Sequence, residues 1–220
     1  MMYIRVRQSA VVNAVALAIL AIASAGAARA SDHLDTSLLK EYRSAAARDV
    51  SVRLSANIAE IDVQGWSEPM VQVRLYWVGT GHAQVDFHTS KTDARLINIE
   101  SITGIHGFPW FTPVRGHPRL ELRIPSGARL TVTQSMGQLT VHNVHGDLVL
   151  DNLMGVIEIA DGGESRYEVD ARVKLGDVEA CGTTSRRRIL LGAVAQSKQP
   201  SGKNVLQARL GMGTIRLKCE

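Results

Sequence analysis

Residues 128–163, written in blocks of nine, read ARLTVTQSM, GQLTVHNVH, GDLVLDNLM and GVIEIADGG. Blocks two to four open on Gly137, Gly146 and Gly155. The third and fifth positions are always aliphatic: Leu130 and Val132, Leu139 and Val141, Leu148 and Leu150, Ile157 and Ile159. Asn143, Asn152 and Asp161 hold the seventh position. Self-similarity at a fixed period decides the architecture before any local propensity does.

The period has a geometric consequence. Side chains of a strand alternate between its two faces, so the aliphatic pair of each block points to one side. Nine is odd, and an uninterrupted strand would turn its apolar face over at every repeat. A turn must therefore reset the phase, and Asn or Asp close to Gly tolerates the positive φ that such a turn needs. Val144 and Leu153, at position eight, are expected to tuck into the corners.

Working outward, the same Gly-x-φ-x-φ unit recurs from Gly176 to Ala180 and from Gly213 to Leu217. Its irregular spacing implies inserted loops, the longest running from Thr183 to Asn204. Upstream, Val50, Val52 and Leu54, then Ile61 and Val63, then Val71, Val73 and Leu75 alternate with polar residues as half-buried strands do. Ser31 to Arg48 reads as a polar leader in which Leu38, Leu39 and Tyr42 form one or two helical turns. The fold class is all-β. Two architectures fit: a β-solenoid whose successive strands line opposite sheets, and an antiparallel β-meander or sandwich. Periodic Gly and Asn positions favour the solenoid, because stacking places like side chains above one another.

The first thirty residues read as a signal peptide. Arg5 and Arg7 precede an apolar run from Val11 to Ala23, and Ala28-Arg29-Ala30 gives the small–x–small pattern of a cleavage site before Ser31. That run is short for a membrane span, which needs about 20 residues, and no later segment is long and apolar enough. The expected organisation is a signal peptide at 1–30, a polar leader at 31–49 and one β-strand-repeat domain at 50–220, in the periplasm, outside the cell or on its surface.

From Ser31 onward the chain carries 22 Lys+Arg against 21 Asp+Glu, which argues against nucleic acid as a partner. The charge is uneven: residues 171–220 hold 10 basic and 3 acidic side chains, with Arg186-Arg187-Arg188 the densest point. Two cysteines, Cys181 and Cys219, in a chain bound for an oxidising compartment suggest one structural disulfide.

The run Leu120-Glu121-Leu122-Arg123-Ile124-Pro125-Ser126-Gly127, with the Gly-initiated repeats after it, resembles the bacterial putative-adhesin β-strand-repeat family, also called toast-rack. Ile61-Asp62-Val63-Gln64-Gly65-Trp66 is similar to that family's opening element, with Ala59 where a Gly is usual. The resemblance covers most of 50–219. It implies an exported or membrane-displayed β-solenoid, adhesion or envelope-stress sensing as the role, and no catalytic residues.

Other chemistry finds little support in the residues. His142 and His145 form an H-x-x-H, but on a strand and turn the rings diverge, so they read as solvated side chains and not as metal ligands. The nonapeptide period lacks the carboxylates of calcium-binding β-rolls. Asp147, Asp151 and Glu158 fall on outward faces, and Asp147 with Glu158 across rungs would be the pair a polysaccharide-cleaving enzyme needs. No aromatic-lined groove accompanies them, and no nucleophile or phosphate-loop motif is present. No cofactor and no enzymatic activity are expected.

Residues 104–118 break the repeat with clustered aromatics and prolines. Phe108 and Phe111 suit a plug over the solenoid end, while Trp110, with Arg115 nearby, suits contact with a protein, glycan or envelope surface. The reading is an exported, non-enzymatic, adhesin-like binding protein. Its rival is a sensory or scaffold module of the envelope that acts through a protein partner.

Overall fold

The structure is a computed structural model, and it describes residues 36–80, 84–104, 115–160, 167–180, 185–189, 191–197 and 204–218. The described elements are all strands: β1 (Thr36–Ala45), β2 (Ser51–Trp66), β3 (Met70–Thr80), β4 (Gln84–Asp93), β5 (Leu96–Gly104), β6 (Arg115–Pro125), β7 (Arg129–His142), β8 (Leu148–Ile159), β9 (Tyr167–Ala180), β10 (Ser185–Ile189), β11 (Gly192–Gln196) and β12 (Asn204–Leu217). The sheet does not close into a barrel.

Five long strands form the spine, in the spatial order β2-β7-β8-β12-β9, and every pairing among them is parallel. Each bends once in its middle. In β7, Leu130, Val132 and Gln134 are buried before the bend, and Leu139 and Val141 after it. The step from 134 to 139 is odd, so the inward phase inverts while all the buried side chains join a single core. The sheet is therefore folded over on itself along the bends. First halves of the strands form one sheet and second halves the other.

This explains the nine-residue period as half a rung. Leu130 pairs with Leu148 and Leu139 with Ile157, both eighteen residues apart, so one rung spends nine residues on each sheet. Burying each of these aliphatic side chains contributes about 1.5–3 kcal/mol. The parallel spine is that of a solenoid; antiparallel pairing is confined to the flanks.

Two kinds of corner alternate. One has a glycine ladder, Gly137, Gly155, Gly213 and Gly176 on successive strands, each with φ between 134° and 138°. A Cβ on Gly155 would lie 1.9 Å from the carbonyl oxygen of Gly137, so the rungs close up only without one. Ala59 stands in this ladder on β2 without the positive φ, which accounts for the Ala where the repeat otherwise has Gly. The other corner, between β7 and β8, uses Asn143 at φ 53°. Val144 is buried there and its carbonyl accepts the Tyr167 hydroxyl.

Several expectations are corrected. Residues 36–45 are not helical turns but strand β1, antiparallel to β3; Leu38 and Leu39 stay exposed while Tyr42 packs on the core. Leu153 does not tuck into its corner but projects into solvent. The insert between Thr183 and Asn204 contains the β10–β11 hairpin, which pairs with β9. Pro118 lies within β6, opposite Trp77 of β3. Pairing of β6 with β2 begins only at Arg119, so Pro118 has a ladder partner on one side alone, at an edge position of the kind where proline is tolerated.

Beyond the spine, β5 stacks on the first half of β2 and β6 on its second half, forming one further rung interrupted by an insert. At that end the outer strands β4 and β1 meet. Lys40 of β1 bonds Asp86 at 2.6 Å and the Phe87 carbonyl at 2.8 Å, and lies 4.8 Å from the centre of the Phe87 ring. Lys91 of β4 donates to the Ala45 carbonyl at 2.7 Å. Buried Phe87 thus plugs the end, with two lysines as clips.

Candidate functional site

The two outer faces differ in how their polar side chains are satisfied. On the second sheet, register places Glu41, Arg74, Glu121, Asp62, Thr140, Glu158, Arg216 and Glu179 in one row across eight strands. Cations and carboxylates along it neutralise one another. Arg74 reaches Glu41 at 3.1 Å, Arg119 lies 3.5 Å from both Asp62 and Glu121, and Arg216 reaches Glu179 at 3.2 Å. Hydrogen bonds from Gln72, Arg43 and Arg74 pull the Glu41 carboxyl down to about 2.

The first sheet carries two comparable rows. One runs Ser90, Asn98, Arg53, Thr131, Val149, Gln207, Asp170, Gln196; the other runs His88, Glu100, Ser55, Thr133, Asp151, Arg209, Arg172, Val194. Short hydroxyl side chains sit at the centre, between long ones. Where Ser55, Thr131 and Thr133 stand beside Arg53, His88 and Asn98, the surface sinks into a depression. A second lies between Thr133, Asp151, Leu153, Arg172, Lys174 and Arg209, next to the glycine corner. A third involves Glu168, Asp170, Gln196, Val205 and Gln207. All three belong to this one face.

Ion pairing here is local. Arg172 bonds Asp170 at 2.8 Å within one strand, and Gln196 adds a bond to the same carboxylate at 3.2 Å. Burial alone would push the Asp170 carboxyl up; the hydrogen bonds from Arg172 and Gln196, with the fields of Arg172 and Arg209, outweigh it and hold the carboxyl below its usual range. Arg129 pairs with Asp147 at 3.0 Å.

The carboxylates singled out in the sequence are not brought together. Asp147 precedes the first half of β8, engaged by Arg129 and by the Val205 amide at 3.1 Å, whereas Glu158 lies past the bend on the second sheet with Lys218 at 2.5 Å. The pair a glycosidase would need does not form, because the bend separates the two positions. His142 ends β7 and His145 stands exposed in the following turn. No group of three or more His, Cys, Asp or Glu suited to a metal occurs among the described residues. Phe108, Trp110, Phe111, Cys181 and Cys219 lie outside the described residues, as do residues 1–30; of Arg115, only the backbone, paired with Thr80, is described. No helix among the described residues is long and apolar enough to cross a membrane.

Sequence reading missed the outer rows of the first sheet. Thr131, Thr133 and Asp151 show as outward positions of the repeat, but their partners on β4, β5, β9 and β12 come from distant parts of the chain.

A crystal structure described as a putative cell adhesion protein from Clostridium sporogenes shares the fold, with a TM-score of 0.53 and 11% identity over 82% of this chain and 99% of that one. No family model matches the sequence, and no curated protein does.

Proposed function

We propose that this chain is an exported, non-enzymatic, adhesin-like binding protein of the cell envelope or its exterior, which holds its ligand on the outer face of the first sheet. The carrying observation is the contrast between the faces: one is laced with ion pairs, while the other gathers the three depressions around a hydroxyl-rich centre. Rows of Ser, Thr, Asn, Gln and Arg offer many donors and acceptors at strand spacing, about 4.8 Å apart, which suits a polymeric polar ligand such as a glycan. The fold-level likeness to a protein described as adhesive, and the motif resemblance to the adhesin-like repeat family, point the same way.

The test is binding of the purified chain from Ser31 onward to glycan arrays and to envelope fragments. Thr133→Tyr, which fills two depressions, should weaken capture at least tenfold, and Thr140→Tyr on the opposite face should leave it unchanged. Equal binding by both variants would exclude this face. Intact mass of the exported protein tests the other half of the reading, since a retained Met1 would contradict export with cleavage before Ser31.

A further inference from the structure

The glycine corner carries a second pattern, unrelated to polar contacts. One residue before each ladder position stand Ile58, Met136, Met154, Met212 and Leu175, in register on five adjacent strands. Every one is apolar, yet this is an outer corner. Met136 is 44% exposed, Met154 38%, Met212 43% and Leu175 38%, and Leu153 beside them is 66% exposed. Five strands at about 4.8 Å make a ridge about 19 Å long. Soluble surfaces scatter exposed apolar residues singly; a continuous row marks a contact.

Cations flank the ridge at one end. Lys174 directly precedes Leu175, and Arg209 lines the adjoining depression together with Leu153 and Asp151, while Arg172 there is already paired with Asp170 at 2.8 Å. The ridge and the cations thus share one corner.

We infer that this corner docks the protein peripherally on an anionic lipid surface, with the Met–Leu ridge entering the acyl boundary and Lys174 and Arg209 meeting the headgroups. Apolar burial and attraction to anionic lipid together set such binding, and both elements are present side by side. A second copy fits less well. A stable interface needs roughly 800 Å² from each partner, more than a single row of partly exposed side chains supplies. A peptide needs a groove, whereas these side chains project from a bend. Methionine, unbranched and polarisable, adapts to a disordered medium. Lys174 and Arg209 also line one depression of the proposed glycan face, whereas Met136, Met154 and Met212 line none of the three, so exchanging the methionines separates this inference from that reading.

The experiment is flotation of the purified chain from Ser31 onward with vesicles of phosphatidylglycerol and phosphatidylcholine, and with phosphatidylcholine alone. Binding to the anionic vesicles is expected, weakening with salt. Exchanging Met136, Met154 and Met212 for Gln should reduce it at least tenfold, and exchanging them for Leu should restore it. Lys174→Gln and Arg209→Gln should each weaken it by roughly fivefold. The ridge variants change exposed side chains only, and unchanged thermal melting verifies their fold. No binding of the parent chain, equal binding by the Gln variant, or a salt-independent preference for neutral vesicles would overturn the inference. So would a concentration-dependent dimer, or capture of an acidic amphipathic peptide, that is lost in the Gln variant while vesicle binding persists.

Discussion

The side-chain amide of Gln134 donates a 2.5 Å hydrogen bond to the carbonyl oxygen of Ala59, one rung away and 75 residues earlier in the chain. The same amide also reaches the Met136 carbonyl at 3.0 Å. One rung on, Asn152 donates to the Gly137 carbonyl at 3.1 Å while its own oxygen accepts the Met154 amide. At the glycine corner β7 is thus clipped to β2, and β8 to β7, by a buried side-chain amide, whereas Leu210 and Val173 take the same position on β12 and β9.

Gln134→Ala should destabilise the protein by about 1–3 kcal/mol, because it withdraws the donor from two carbonyls and leaves a gap in the corner. Gln138→Ala, four residues away and exposed, should change stability by less than about 0.5 kcal/mol. Urea unfolding of the two variants against the parent decides this, and equal midpoints would remove the structural role of the clip.

Gly155→Ala should be among the most damaging single substitutions. Its backbone has φ 138°, and the added Cβ would meet the Gly137 carbonyl oxygen at 1.9 Å, so a loss of several kcal/mol is expected. Gly127→Ala, with a normal φ and a nearest approach of 3.2 Å, should be far milder. Thermal melting of both, side by side, is the measurement.

Acid should loosen β1 from the sheet. The Glu41 carboxyl titrates near 2 in the folded protein, below its usual value of 4.5, because Gln72, Arg43 and Arg74 bond its ionised form. A folded-state value below the unfolded one means stabilisation that is present above pH 4.5 and fades as pH falls toward 2. Melting temperatures should therefore decline over that window, and Glu41→Gln should show a shallower decline. An identical pH profile for the variant would rule out Glu41 as a contributor.

Cys181 and Cys219 follow the ends of β9 and β12, and the last described pair of those parallel strands is Ala180 with Leu217. A disulfide between them closes about 38 residues and would contribute roughly 4 kcal/mol in the chain-entropy model. Thiol titration of the unreduced, unfolded protein should find no free cysteine. Two reactive thiols would exclude the bridge.

Fold class, phase and repeat were legible because they depend on short-range chemistry. Leu139, Val141, Leu148, Leu150, Ile157 and Ile159 are all buried, as the Gly-x-φ-x-φ unit requires. Strand order was not legible, since nothing local in Gly213-Thr214-Ile215 says that its neighbours are Gly155 and Gly176. The stretch around Leu38 and Tyr42 misled because its apolar spacing fits a helical turn, and only the free edge of β3 draws it into a strand. The candidate face was hidden for a related reason: alternation identifies Thr133 and Arg209 as outward residues without saying that they line one depression.

The placement of β12 between β8 and β9 bears on how the chain reaches this state. Emerging in order from a ribosome or a translocation pore, β8 and β9 would have no partner for their facing edges until Asn204–Leu217 followed. The native topology is then unattainable by adding rungs one after another; the spine is completed by a late insertion that pairs with β8 on one side and β9 on the other. Long-range parallel pairing of this kind is slow, and unpaired edges invite association with other chains. A nascent molecule truncated before Asn204 should therefore depend on chaperones, which makes folding a property of the released chain and not of the growing one.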